Sequence, residues 1–338
     1  MSGASERSGA PAVAGPGARA GAGGALAGAG GRVPEFFLVG HSKSGTTALY
    51  EMLRSHPQIF MPDMKEPIWF APELPRRAHR YTAPGTLEEY LALFAPATPG
   101  LLAGEASASY LRSPTAARLI AQARPDARIV AILREPASFL RSFHLQVVQA
   151  HYEDERDLAR ALSLEAERRR GRHLPRRSLW PQELLYLDHV RYVEQLRRYH
   201  DVFTSEQVLV LIYDDFRADN QAALRRVLRH LGVEEHLEVP ALEANPTLAT
   251  RSQRADALLH AISHGEGAIT GAVKRVVPQH LRRQALSTVQ RRLVWGEPPE
   301  PDEQLIVSLR RRLAPEVAAL SDYLGRDLVT LWGYEKLG

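Results

Sequence analysis

Short apolar runs alternate along this chain with stretches whose apolar residues recur every three or four positions. Phe36–Val39 is such a run. It ends at Gly40 and predicts a strand buried on both faces. A small polar loop follows, and then Ala48, Leu49, Met52 and Leu53 fall at helical spacing. The same reading gives strands near Gln58–Met61, Leu101–Glu105, Arg128–Leu133 and Val208–Tyr213. It gives helices over Leu87–Phe94, Ser113–Ala123 (Ser113 as N-cap, Pro114 at the first helical position), from Pro136, over Glu183–Phe203, Asn220–Leu231 and Glu303–Leu324. Strands that alternate with helices predict an α/β fold, a largely parallel sheet with helices on both faces. Glu153–Arg177 reads as a charged, exposed stretch, and Glu297–Pro301 as a rigid connector. Residues 234–292 have the weakest periodicity and are expected to form a lid or an acceptor-binding segment.

The first 32 residues are mostly Gly, Ala, Ser and Pro. They carry too little apolar surface to offset their ordering entropy, so a disordered tail is expected, with a single domain over residues 33–338. Glu6 and the missing Leu/Val-rich segment argue against a secretory signal. No later stretch is apolar enough to span a bilayer. With no cysteine, disulfides, thiolate metal sites and a cysteine nucleophile are excluded. This fits a reducing cytoplasm.

The formal net charge is +4, carried largely by arginine in runs such as Arg168–Arg170 and Arg176–Arg177. Such runs suit a solvated helix face, an anion site, or a nucleic-acid or membrane surface. No aromatic residues interleave them as a nucleic-acid platform needs, so no nucleic-acid partner is expected.

Two segments carry chemistry. Gly40-His41-Ser42-Lys43-Ser44-Gly45-Thr46-Thr47 has the glycine skeleton of a phosphate loop between a strand and a helix. There backbone N–H groups and the positive helix end converge on an anion. Nucleoside triphosphatases place lysine directly after the second glycine; here Thr46 stands there and the lysine is Lys43. No acidic residue ends a following strand: Ile129–Leu133 runs into Arg134. Both departures argue against ATP hydrolysis. The second segment is Arg134-Glu135-Pro136 with Ser142 farther on. An Arg fork at a strand's carboxyl end together with a hydroxyl suits a phosphate dianion.

On these motifs the chain resembles the sulfotransferase family that uses 3'-phosphoadenosine 5'-phosphosulfate. Lys43-Ser44-Gly45-Thr46-Thr47 is similar to the family's 5'-phosphosulfate loop, and the resemblance implies that Lys43 stabilises charge on the bridging oxygen. Arg134 and Ser142 resemble its 3'-phosphate motif. Gly104–Tyr110, Tyr192–Leu196, Tyr213–Phe216 and Leu324–Leu328 near Trp332 resemble packing segments of the family. Arg251-Ser252-Gln253-Arg254 resembles a late basic loop that closes over the nucleotide, with a solvated helix start as the competing reading.

Met64-Lys65-Glu66-Pro67-Ile68-Trp69-Phe70 is similar to a segment of the glycan-type, heparan-sulfate-like branch. That likeness makes Glu66 the expected base, with Lys65 near donor and acceptor. Ile68, Trp69 and Phe70 could desolvate the carboxylate. The competing reading is a surface Lys–Glu pair beside an aromatic cluster. Other branches use histidine, for which His41, His56, His144 and His151 are available. Trp69, Tyr110 and Tyr192 could line the site.

The expectation is therefore a metal-independent sulfuryl transfer from 3'-phosphoadenosine 5'-phosphosulfate to a hydroxyl or amine of a carbohydrate, glycolipid or small metabolite. The composition suggests a bacterial source. The alternatives are a P-loop kinase of a small metabolite and a catalytically silent nucleotide-binding protein.

Overall fold

The computed structural model describes residues 31–74, 77–78, 81–175, 178, 180–235, 249–250, 295–296, 300 and 302–336. Most of the expected tail and connector, Arg251, and nearly all of residues 234–292 lie outside the described residues. The chain divides into two compact units, Met1–Leu133 with Glu194–Leu242 and Arg134–Val193 with Glu243–Gly338. The described helices of eight residues or more are α1 (Thr46–Arg54), α2 (Ala116–Ala123), α3 (Pro136–Gln149), α4 (Tyr192–His200), α5 (Asn220–Leu231) and α6 (Glu303–Leu324).

The first unit is built on a parallel sheet of five strands: β1 (Phe36–Gly40), β2 (Ile59–Phe60), β3 (Leu102–Ala106), β4 (Arg128–Leu133) and β5 (Val208–Ile212), in the order β2-β3-β1-β4-β5. β1 lies in the middle, with Leu38 level with Ala106 on one side and Val130 on the other. All five of its residues are buried, as the unbroken apolar run predicts. On one face Phe36, Leu38, Val130, Ile132 and Leu211 pack with Leu49, Met52 and Leu53 of α1 and with Leu224, Val227 and Leu228 of α5. On the other face Phe37 meets Phe70 edge-on, and Phe70 meets Tyr90 and Tyr110 in the same way. After β1 the chain moves towards β2, and after β4 it moves towards β5. β1 and β4 therefore flank the switch point where open α/β sheets receive ligands. The fold class is the expected one.

In the second unit Glu135 caps α3, accepting from Ala137 N at 3.2 Å and Ser138 N at 2.6 Å, with Pro136 in the first turn. α6 buries Leu309, Leu313, Val317 and Leu320 along one stripe, starts at the Asp302 cap and stops at Gly325.

Two expectations fail here. The predicted helix over Glu183–Phe203 is two 3₁₀ turns, Pro181–Leu184 and Tyr186–Val190, followed by α4. Tertiary bonds override the local periodicity. Leu187 N–H donates to Glu165 Oε1 at 2.9 Å, Tyr186 O–H donates to Glu153 Oε2 at 2.9 Å, and Leu185 and Arg191 leave helical geometry. The stretch Glu153–Arg177 is not uniformly exposed. Arg168 and Glu153 form a two-pronged ion pair of 2.7 and 2.8 Å whose side chains are 1% and 0% exposed. In a sequence this charged, two pairing residues look like the rest of a solvated surface.

Candidate active site

The phosphate-loop segment leaves β1 at Gly40, whose φ is +141°. A Cβ there would lie 2.6 Å from the Ile132 carbonyl oxygen, so the close approach of β1 to β4 requires glycine. Gly45 closes the loop at φ +87° and is the N-cap of α1. With no side-chain cap and no acidic residue in the first turn, the helix start keeps its donors for an anion. Lys43 adopts a left-handed φ of +65°, uncommon for lysine and a form of backbone strain found at ligand sites. Ser44 is fully buried, and its Oγ meets no hydrogen-bond partner among the described residues. Such an orphan costs about 1–3 kcal/mol. A ligand oxygen seated in the loop would satisfy it. Thr46 is buried at the first turn and Thr47 is exposed. The loop's residues thus fit a phosphate or sulfate group.

Glu66 is tied to the next strand. Its N–H donates to the Ala106 carbonyl at 2.8 Å, at the carboxyl end of β3 beside β1. Its Oε1 accepts from Ala108 N at 3.1 Å and from Lys65 Nζ at 2.9 Å. Among the described residues its Oε2 takes no hydrogen bond. Glu66 and Ile68 both have left-handed φ, +62° and +53°. This unusual turn is held by Ser107, whose Oγ accepts from Ile68 N at 3.2 Å. Trp69 is 4% exposed and stacks on Tyr90 with ring centroids 5.2 Å apart. Tyr110 is fully buried and accepts from Phe70 N at 3.0 Å.

Beneath this turn lies Glu105, fully buried on β3. It accepts from Tyr90 O–H at 2.5 Å and Ser107 O–H at 2.7 Å. Burial pushes its carboxyl up to about 7, against the pull of these hydroxyls. Native Glu105 thus keeps its proton up to about pH 7, while the unfolded chain releases it near the ordinary carboxylate value. Stability contributed by Glu105 is full below about 4.5 and is lost as pH rises through about 7. Glu105→Gln is expected to remove that decline. Relative to pH 4.5, wild type should lose on the order of 3 kcal/mol more than the variant by pH 8. Denaturant unfolding at pH 4.5, 6 and 8 checks this, and parallel curves would contradict it.

In the second unit Arg134 follows directly after β4. Its Nε and Nη2 donate to Ser138 Oγ at 3.1 and 2.8 Å. Its carbonyl accepts from the hydroxyl of fully buried Tyr192 at 2.9 Å. Ser142 is buried on α3, two turns into the helix. Tyr192 is thus placed to orient Arg134 through its main chain. The Glu135 carboxylate, adjacent in sequence, is engaged in the cap of α3.

Three of the four candidate histidines, His41, His56 and His144, are buried beside hydrogen-bonding partners. His41 is 2% exposed, with Nε2 at 3.0 Å from Gln195 Oε1, and burial with nearby Arg112 lowers it to about 3. His56 contacts the Glu234 carbonyl at 3.0 Å. His144 lies between the Tyr186 hydroxyl and the Arg156 carbonyl, both at 2.9 Å, and burial lowers its pKa. His151 has a left-handed φ of +58°. Among the described residues no cluster of three or more His, Asp or Glu is arranged to hold a metal ion.

A family model described as "Sulfotransferase domain" matches residues 33–254, well over half of the chain. The chain belongs to the sulfotransferase family. Within that family its described fold is like the crystal structure of a sulfotransferase from Alicyclobacillus acidocaldarius. That likeness has 26% identity and a TM-score of 0.59, covering 88% of this chain and 98% of the other. The bifunctional heparan sulfate N-deacetylase/N-sulfotransferase 4 of Mus musculus is 27% identical over 215 residues, 60% of this chain and 23% of that protein. The membrane-associated sulfotransferase kil1 of Dictyostelium discoideum is 32% identical over 119 residues, 34% of this chain and 23% of that protein. The match therefore spans under a quarter of the length of these relatives.

Three residues that the sequence motifs did not single out support the candidate groups. Ser138 holds the Arg134 fork, Ser107 holds the Glu66 turn, and Glu105 anchors Ser107. Ser138 lies four residues after Arg134, one helical turn on, and that spacing was its available signal. Glu105 and Ser107 lie inside a segment read as packing.

Proposed function

We propose that this sulfotransferase-family chain transfers a sulfuryl group from 3'-phosphoadenosine 5'-phosphosulfate to a hydroxyl or amine of a carbohydrate, glycolipid or small-metabolite acceptor. The observation that carries the reading is the loop after β1. Lys43 stands before the second glycine, the start of α1 is uncapped, and a buried Ser44 hydroxyl waits for a partner. The donor, when bound, supplies the activated sulfuryl group and a nucleotide leaving group.

In this reading Ser44, Thr46, Thr47 and the first N–H groups of α1 bind the 5' end. The Lys43 ammonium balances charge gathering on the bridging oxygen as the bond to sulfur breaks. Arg134 and Ser142 bind the 3'-phosphate, with Tyr192 and Ser138 orienting Arg134. Glu66 Oε2 accepts the acceptor's proton, while Oε1 stays fixed by Ala108 and Lys65. Lys65 is the cation beside base and acceptor. Arg251 is assigned to closure over the nucleotide on resemblance alone. The glycan-type acceptor rests on the Lys65–Phe70 segment and on the likeness to a heparan sulfate N-sulfotransferase.

The test is release of 3'-phosphoadenosine 5'-phosphate from the sulfated donor across a panel of aminoglycans, oligosaccharides and phenols. Glu66→Gln is expected to lower kcat by about 10²–10⁴-fold with donor affinity nearly unchanged. Turnover equal to wild type would remove Glu66 from the mechanism. No acceptor-dependent turnover by wild type with any donor would favour the silent nucleotide-binding alternative.

A further inference from the structure

Beyond the matched residues 33–254, the last described segment of the chain reaches the start of α3. Gly333, at φ +70°, turns the chain so that Tyr334 enters the second unit's interior, where it is 6% exposed. Its hydroxyl donates to Glu135 Oε1 at 2.6 Å. Arg310 of α6 stands on the same carboxylate, with Nε 3.6 Å from Oε1, and its guanidinium lies 5.8 Å from the Tyr334 ring centre. Glu135 in turn accepts from Ala137 N and Ser138 N, and the Ser138 hydroxyl takes both Nε and Nη2 of Arg134. Hydrogen bonds thus link the Tyr334 hydroxyl through the Glu135 carboxylate to the Ser138 main chain, and the Ser138 hydroxyl to the Arg134 guanidinium. Both ends are firm. The pKa of Tyr334 is raised by burial and by the neighbouring Glu135 charge, which keeps the hydroxyl a donor. The Arg134 main chain is independently held by Tyr192.

We infer that Tyr334 is a positioning residue for the 3'-phosphate grip: the chain's last 3₁₀ turn latches Glu135, which sets Ser138 and thereby the plane of the Arg134 fork. This rests on the proposed role of Arg134. A planar fork binds a phosphate dianion well only in one orientation, so loss of the latch acts on the 3'-phosphate and not on the rest of the nucleotide.

The test is calorimetric titration of wild type, Tyr334→Phe and Ser138→Ala with 3'-phosphoadenosine 5'-phosphate and with AMP. Both variants are expected to bind the 3'-phosphorylated nucleotide about five- to tenfold more weakly, with AMP affinity within twofold of wild type. Equal weakening of both nucleotides would make Tyr334 a stability residue only, and no change in either would remove it from the site. Both results overturn the inference and leave the donor assignment standing. If wild type itself binds the 3'-phosphorylated nucleotide no better than AMP, the assignment of Arg134 falls and the inference falls with it.

Discussion

Lys43→Met is expected to lower kcat by about 10³-fold while the affinity for 3'-phosphoadenosine 5'-phosphate changes by less than about fivefold. The asymmetry follows from when the charge appears. In the proposed donor complex the bridging oxygen carries little charge, and the loop N–H groups with α1 are assigned to the terminal oxygens. As the bond to sulfur breaks, negative charge gathers on that oxygen, and an ammonium aimed at it stabilises the transition state more than the ground state. Loss of one such preorganised donor costs about 10²–10³-fold or more. The left-handed backbone at Lys43 fits this role, because strain kept at a ligand loop fixes where the side chain starts. Lys43→Arg should recover only part of the rate, since a wide fork does not replace a compact ammonium. Rates at saturating donor, with affinities from titration, check the split. A kcat near wild type with a large loss of affinity would make Lys43 a binding residue instead.

Arg134→Ala is expected to weaken 3'-phosphoadenosine 5'-phosphate by about 100-fold, or about 2.7 kcal/mol, and to leave ADP within twofold. A charge-assisted contact to a dianion is the strongest single polar interaction proposed for this nucleotide. Its loss also leaves Ser138 Oγ without the guanidinium it now holds. Selectivity is the informative quantity. A variant that merely loosens the second unit weakens every nucleotide, whereas removal of a 3'-phosphate ligand erases the preference for the 3'-phosphorylated one. Ser142→Ala should act in the same direction with a smaller effect.

The sheet was legible because β1 and, after Arg128, β4 are short unbroken apolar runs, the pattern of strands buried on both faces. The Lys43 loop and Arg134 stood out as candidates for a related reason. Binding an anion at a strand end demands glycine, small hydroxyls and cations at short range in sequence. What escaped was long-range. Glu183–Phe203 carries helical spacing, yet Tyr186 and Leu187 answer to Glu153 and Glu165, side chains far back in the chain. The buried Arg168–Glu153 pair is indistinguishable from surface charge until the fold brings the two together. Trp69, read as able to line the site, stacks on Tyr90 in the aromatic cluster, and its position four residues after Lys65 carries no sign of which way its ring turns. Glu105 looked like packing because its role, accepting from Tyr90 and Ser107 beneath the Glu66 turn, depends on partners that the strand alone does not name.

The measurement that bears most directly on the central claim is a calorimetric titration of the wild-type chain with 3'-phosphoadenosine 5'-phosphate, ADP, and ATP with and without Mg²⁺. The account predicts metal-independent binding of the 3'-phosphorylated nucleotide, at least about 30-fold tighter than ADP or ATP. Preference for ATP with Mg²⁺ would contradict it and point to phosphoryl transfer.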